Sequence, residues 1–218
     1  MRLACPKLLL CLALGLGLTS CGGEAPEVLA LSWRLEMRPQ KGGYYESLSI
    51  FANVHDFDGP EDIESLSLSQ DASGLAWVLD GGNWSVLKEG DDTWIGGADL
   101  AMADRSALPR GVYRLVATDL SGQRAERSFT LDCEAPRKAP PSVTASGKLA
   151  EVDSVWPETA LLAYDAAGIL LQAKPIGRGS NDLEGLLSGA LAGKTASVAV
   201  YGYDPQTHCG AFSWKTKR

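Results

Sequence analysis

Hydrophobic and polar residues alternate strictly in two stretches near the start of the chain. The apolar positions of the first stretch are Leu29, Leu31, Trp33, Leu35 and Met37, and those of the second are Leu48, Ile50, Ala52 and Val54. Lys41-Gly42-Gly43 lies between them and has the composition of a turn. A period of two places alternate side chains on one face of a strand, so both stretches are predicted to be half-buried β-strands.

Similar short stretches recur along the chain, separated by Gly, Asp, Asn or Pro. They predict strands over 65–69, 75–79, 84–87, 94–102, 112–118, 124–131, 152–156, 160–164, 169–174, 197–203 and 210–214. One short helix is expected over 180–192, capped by Ser180 or Asn181. The fold class is therefore predicted to be all-β: an antiparallel sandwich over 28–133, a Pro-rich linker over 134–141 and a smaller β-rich domain over 142–218.

The first 21 residues follow another pattern. Arg2 and Lys7 precede eleven apolar residues at 8–18, a run too short to span a bilayer as a helix. A positive start, a short apolar centre and small residues before a cleavage site are typical of an export signal. We therefore expect residues 1–20 to be removed and residues 21–27 to form a short tether.

Leu18-Thr19-Ser20-Cys21 resembles the lipobox of bacterial lipoprotein signal peptides. The resemblance implies that Cys21 carries covalent lipid and becomes the first residue of the mature chain. Gly22 after the cysteine implies sorting to the outer membrane. The sequence does not decide between its periplasmic face and the cell surface. The alternative is an ordinary secretory signal that contains a cysteine.

Two further segments, 51–64 and 108–131, contain Asp-x-Asp-Gly, Pro-x-Gly-x-Tyr and Asp-x-x-Gly motifs. The motif residues are Asp56, Asp58 and Gly59, Pro109, Gly111 and Tyr113, and Asp119 and Gly122. These segments resemble the immunoglobulin-like or fibronectin-III-like modules of bacterial envelope proteins, which implies a β-sandwich. The Cys…Trp…Cys core of true immunoglobulin domains is absent from the sequence.

The charge balance limits the classes of partner that the chain can bind. Removal of residues 1–20 leaves 18 basic and 27 acidic residues, a net charge of −9. Such a chain is a poor partner for nucleic acid, and its attachment to a membrane must come from the lipid.

Cys133 and Cys209 are the two cysteines that remain after the signal and Cys21 are set aside. They are a candidate disulfide pair, with two unpaired thiols as the alternative.

Two groups of residues are candidates for ligand contact. Asp56, Asp58 and Asp62 place three carboxylates in one tight loop, which suits Ca²⁺. The alternative, which the sequence favours, is a solvated acidic loop that binds no ion. Tyr201 and Tyr203 share a face of one predicted strand, opposite Val198 and Val200. If the valines point inward, the two rings suit a flat partner such as a sugar or another protein; otherwise they fill a small core.

The sequence lacks Gly-x-Ser-x-Gly and phosphate-loop motifs and has two histidines, so an enzyme is not expected and no cofactor beyond the lipid is predicted. The leading hypothesis is a lipid-anchored binding or adhesion module with a protein or glycan partner. The alternative is a structural or assembly subunit of an envelope complex, and a hydrolase comes third.

Overall fold

The structure, a computed structural model, describes residues 23–90, 92–134, 138–187 and 189–218. Its strands are β1 (Glu27–Gln40), β2 (Gly43–His55), β3 (Ile63–Gln70), β4 (Leu75–Asp80), β5 (Ser85–Glu89), β6 (Asp92–Leu100), β7 (Gly111–Asp119), β8 (Arg124–Leu131), β9 (Ser142–Ser146), β10 (Leu149–Asp153), β11 (Glu158–Tyr164), β12 (Leu170–Pro175), β13 (Gly179–Asp182), β14 (Ser197–Asp204), β15 (Cys209–Phe212) and β16 (Thr216–Lys217). Two short helices are α1 (Leu183–Leu186) and α2 (Gly189–Ala192), and Pro60–Asp62 forms one 3₁₀ turn. The prediction of an all-β fold is confirmed.

The described strands form three sheets. Nine belong to the largest, in the order β12-β11-β14-β15-β1-β2-β6-β5 with β16 beside β14. A second sheet has the order β4-β3-β7-β8, and a third the order β13-β10-β9. Among the described pairs, β1 and β15 are parallel and every other pair is antiparallel.

The alternation of β2 decides which face of the large sheet is buried. Leu48, Ile50 and Ala52 are each 0% exposed, and they belong to one hydrophobic cluster with Leu115 and Tyr113 of the four-stranded sheet. The two sheets therefore form a sandwich, as predicted. Burial of a Leu or Ile side chain, such as Leu48 or Ile50, is worth about 1.5–3 kcal/mol, so this core contributes strongly to stability.

A second core lies on the same face of the large sheet. Val198 and Val200 of β14 are fully buried, and they belong to one cluster with Val152 of the three-stranded sheet and Leu183 of α1. Both smaller sheets thus contribute to cores on one face of the nine-stranded sheet.

The two predicted domains, 28–133 and 142–218, share the large sheet. β1 pairs with β15 from Leu35↔Cys209 to Met37↔Ala211, so the large sheet continues across the predicted boundary. Trp156, from the second predicted domain, belongs to the first core. Its ring lies against Gly202, where a Cβ would meet the indole at 2.4 Å. The two predicted domains are therefore parts of one continuous β-structure.

The motifs that resemble immunoglobulin-like modules form turns of the expected kind. The buried Tyr113 hydroxyl donates a hydrogen bond to the carbonyl of Pro109 (2.8 Å), four residues upstream, as in a tyrosine corner. Asp119 and Gly122 close the β7–β8 hairpin through a backbone hydrogen bond of 3.1 Å, with Gly122 at φ 84°. This left-handed conformation suits glycine because it lacks a Cβ.

Two local predictions need correction. A β-bulge between Val28 and Ala30 shifts the alternation, so Val28 is buried and Leu29 is 45% exposed. The single helix expected over 180–192 is also wrong. Its first residues form β13, which pairs with β10, and Asp182 instead of Ser180 or Asn181 caps the four-residue α1. Gly185 and Gly189 lower helix propensity, and sheet pairing satisfies the backbone of the preceding residues.

We expect Trp156→Ala to lower the free energy of unfolding by about 3–5 kcal/mol, because it empties the space between β14 and the first core. Trp214→Ala is the matched control, since Trp214 is 53% exposed, and its effect should stay within about 0.5 kcal/mol. Chemical denaturation of both variants tests this. Two separate unfolding transitions in the wild-type protein would contradict the continuity of the two cores.

Candidate functional site

The face of the nine-stranded sheet opposite the two cores carries a row of arginine and aromatic side chains. It includes Arg34 and Arg38 of β1, Tyr201 and Tyr203 of β14, and Phe212 of β15, which we call the arginine–aromatic face. Because Val198 and Val200 point into the core, the strand period places the two tyrosines on the other side, as the sequence predicted.

The rings on this face pack against one another and form an aromatic platform. Tyr201 and Tyr203 are stacked, with centroids 6.2 Å apart and an interplanar angle of 16°, and Phe212 lies 4.5 Å from Tyr201 at an angle of 36°. Gly210 makes this possible, because a Cβ there would lie 2.3 Å from the Tyr201 hydroxyl. Burial raises the pKa of Tyr201, and its hydroxyl has no hydrogen-bond partner within the described residues.

The arginines cover the two ends of this platform. The guanidinium of Arg34 lies 4.4 Å from the Tyr203 ring centroid, and that of Arg38 lies 4.4 Å from that of Phe212. Arg38 donates hydrogen bonds to Glu36 (2.7 Å) and to the Ser47 hydroxyl (2.9 Å). Burial raises the pKa of Glu36 and the charge of Arg38 opposes this rise. Arg38 is thus held by an ion pair and a hydrogen bond, whereas Arg34 contacts Tyr203 and lines two grooves.

Two shallow grooves meet at Arg34. One, of about 440 Å³, is lined by Tyr201, Tyr203 and Glu158, among others. The other, of about 410 Å³, is lined by Phe51, Trp94 and Glu89 and their neighbours. Together they run across the large sheet on either side of β1, with a positive charge at the centre and a carboxylate in each groove.

The predicted metal residues are only partly brought together. Asp56 and Asp62 lie in one cluster with Asp119 of the β7–β8 hairpin, whose carboxylate oxygens are within 4.8 Å of one another. Asp58 does not belong to this cluster. Loss of hydration, followed by the charges of Asp56 and Asp119, raises the pKa of Asp62. Asp119 is therefore the residue that reasoning on the sequence missed.

Cys133 and Cys209 are free thiols that contact each other, and Cys209 is buried. A hydrogen bond from Cys133 lowers the pKa of Cys209 to about 7 and raises that of Cys133. The thiolate is the form that attacks in disulfide exchange, and the contact places the two sulfurs of the candidate pair beside each other.

We expect the two cysteines to form a disulfide in an oxidising compartment, which would add about 4 kcal/mol in the chain-entropy model because the closed loop is long. Thiol alkylation of the denatured protein, with and without reductant, followed by mass spectrometry tests this. Alkylation should occur at Cys133 and Cys209 only after reduction. Labelling of both without reductant would contradict the bridge, and Cys133→Ser together with Cys209→Ser is the control.

Cys21 and the signal segment 1–20 lie outside the described residues. In the ranges that the structure describes, no helix is long and apolar enough to cross a membrane.

Comparisons with known proteins find similarity to solved structures alone. No family model matches the chain, and no curated protein matches it. Among solved structures, it is similar to Tp47, the 47-kilodalton lipoprotein of Treponema pallidum, with 10% identity and a TM-score of 0.43 over 81% of this chain and 47% of that one. It is also similar to dimeric latent PorU from Porphyromonas gingivalis, with 13% identity and a TM-score of 0.35 over 89% of this chain and 20% of that one.

The chain thus spans less than half the length of either solved structure. At these TM-scores, neither similarity carries an argument about the function of this protein.

Proposed function

We propose that this protein is a lipid-anchored bacterial envelope protein, held in the outer membrane through Cys21, whose arginine–aromatic face binds a glycan without catalysis. The lipobox at residues 18–21 supports the anchor. The observation that carries the binding role is the platform of Tyr201, Tyr203 and Phe212 with Arg34 at its edge.

The chemistry of the face favours a sugar chain that contains carboxylates. Flat, partly exposed rings offer apolar area to the C–H faces of a sugar at a low cost in side-chain entropy. Arg34 lies where the two grooves meet, so its guanidinium can donate hydrogen bonds to a carboxylate of the ligand in either groove. Glu158 and Glu89 offer acceptors for sugar hydroxyls on either side. An elongated ligand can reach both grooves, which share Arg34, better than a compact one.

The test measures binding of the purified protein to peptidoglycan glycan strands, by sedimentation and by calorimetry. Tyr203→Ala and Arg34→Ala should each weaken binding about tenfold or more, because each removes one partner of the stacked pair that faces the groove. Phe57→Ala is the matched aromatic control, since Phe57 is 76% exposed, lies in the loop after β2 and lines neither groove, and it should bind as the wild type does.

Unchanged binding by both variants, with thermal unfolding intact, would refute the assignment of the face. Absence of glycan binding together with stable co-purification of one envelope protein would instead favour the assembly role.

The anchor has its own test. Cys21→Ala should release the protein from the membrane fraction, because two or three acyl chains at about 0.8 kcal/mol per buried methylene supply the attachment. Metabolic labelling with a palmitate analogue and membrane fractionation measure this. Membrane retention of the unlabelled variant would contradict the lipobox assignment.

A further inference from the structure

The cluster of Asp56, Asp62 and Asp119 joins two separate loops at one end of the sandwich. Asp56 follows β2, Asp62 ends the 3₁₀ turn before β3, and Asp119 ends β7. The Leu120 amide donates to the carbonyl of Asp62 (2.8 Å), which holds the hairpin beside the loop. The three carboxylates are thus brought together by tertiary structure, not by their spacing in sequence.

Two of these carboxylates are buried with one oxygen unsatisfied. Asp56 is 6% exposed and Asp119 is 1% exposed. Asp56 accepts the Asp58 amide at Oδ1 (2.8 Å), and Asp119 accepts the Gln123 amide at its own Oδ1 (2.8 Å). The Oδ2 atom of each is buried and has no hydrogen-bond partner among the described residues. Each side chain therefore fixes its own turn with one oxygen and leaves the other free.

No compensating cation is supplied by the protein. In the described part of the chain, none of the three carboxylates forms an ion pair with Lys, Arg or His within 4.0 Å. Buried charges in proteins are paired or coordinate metals, because an unpaired buried ion costs several kcal/mol. Three converging carboxylates without a partner therefore favour either a cation from solution or protonation of one carboxyl group.

We infer that Asp56, Asp62 and Asp119 form a Ca²⁺ site that ties the β2–β3 loop to the β7–β8 hairpin. Ca²⁺ takes oxygen ligands at about 2.3–2.6 Å, so two ligands on opposite sides of one ion lie roughly 4.6–5.2 Å apart. The three carboxylate oxygens, which lie within 4.8 Å of one another, are close enough to share one such ion. Mg²⁺ demands near-ideal octahedral geometry at about 2.0–2.1 Å and loses its waters reluctantly, so it is seldom held by protein carboxylates alone.

The site also adjoins the start of the described chain. Gly23 lies against the Asp58 side chain, with no room for a Cβ, and its carbonyl accepts a hydrogen bond from the Gln123 side chain. Asp58 and Gln123 are the residues whose amides bind the Oδ1 atoms of Asp56 and Asp119. Ca²⁺ would thus stabilise the contact between the N-terminal segment and the sandwich.

The experiment uses the full-length protein purified in detergent and stripped with EDTA. Calorimetric titration with CaCl₂ should give one bound ion, and Ca²⁺ at a hundredfold excess over its Kd should raise Tm by about 5–10 °C. Asp119→Asn keeps the Oδ1 acceptor of the turn but removes the charge, so it should fold in EDTA and lose the Ca²⁺-dependent shift. Asp62→Asn, at a half-buried position, is the second variant and should behave alike.

Asp58→Asn is the matched control, since its carboxylate lies outside the cluster, and it should retain the full shift. No binding and no change of Tm at about 10 mM Ca²⁺, above the range of weak extracellular sites, would overturn the inference. An equal shift with Mg²⁺ would overturn the assignment to Ca²⁺, and a full shift in Asp119→Asn and Asp62→Asn would place the ion elsewhere.

Discussion

The parallel pairing of β1 with β15 is the interaction on which the rest of the architecture depends. It joins strands from the two ends of the chain, and it is reinforced where the Leu35 amide donates to the His208 carbonyl (2.9 Å) and the His208 ring stacks on Trp33 at 4.8 Å. Without it, the large sheet would end at β1 on one side and at β15 on the other. A strand edge at either position would expose unpaired amides and carbonyls to other chains.

This pairing also creates the candidate binding face. Arg34 and Arg38 come from β1, whereas Tyr203 and Phe212 come from β14 and β15, so each cation–π contact crosses the junction between the two halves of the sheet. One face of the sheet is occupied by the two cores, which leaves the other for polar and aromatic side chains. The same hydrogen bonds that complete the sheet therefore assemble the proposed site.

Local alternation was enough to predict most strands and the all-β class. It located β8 at its observed bounds and assigned the buried side of β2 correctly. It missed β9, β13 and β16, which are short and pair along few residues, so their sequences carry no clear period. The residues of the two candidate sites meet through tertiary contacts, which a local pattern does not reveal. In the sequence, Arg34 is only one of the polar positions of an alternating strand, and Asp119 lies far from the acidic loop that it contacts.

The position of β1 has a mechanical consequence for a tethered protein. The chain enters β1 at Glu27, soon after the proposed anchor, and Arg34 of the proposed glycan site lies on the same strand. Tension between a membrane and a bound glycan would therefore run along β1. Because both points lie on one strand, the part of the pull that Arg34 carries passes through the covalent backbone between Glu27 and Arg34 and does not have to break the hydrogen bonds of β1 to β2. The strand that carries this tension would also be one that holds the ligand.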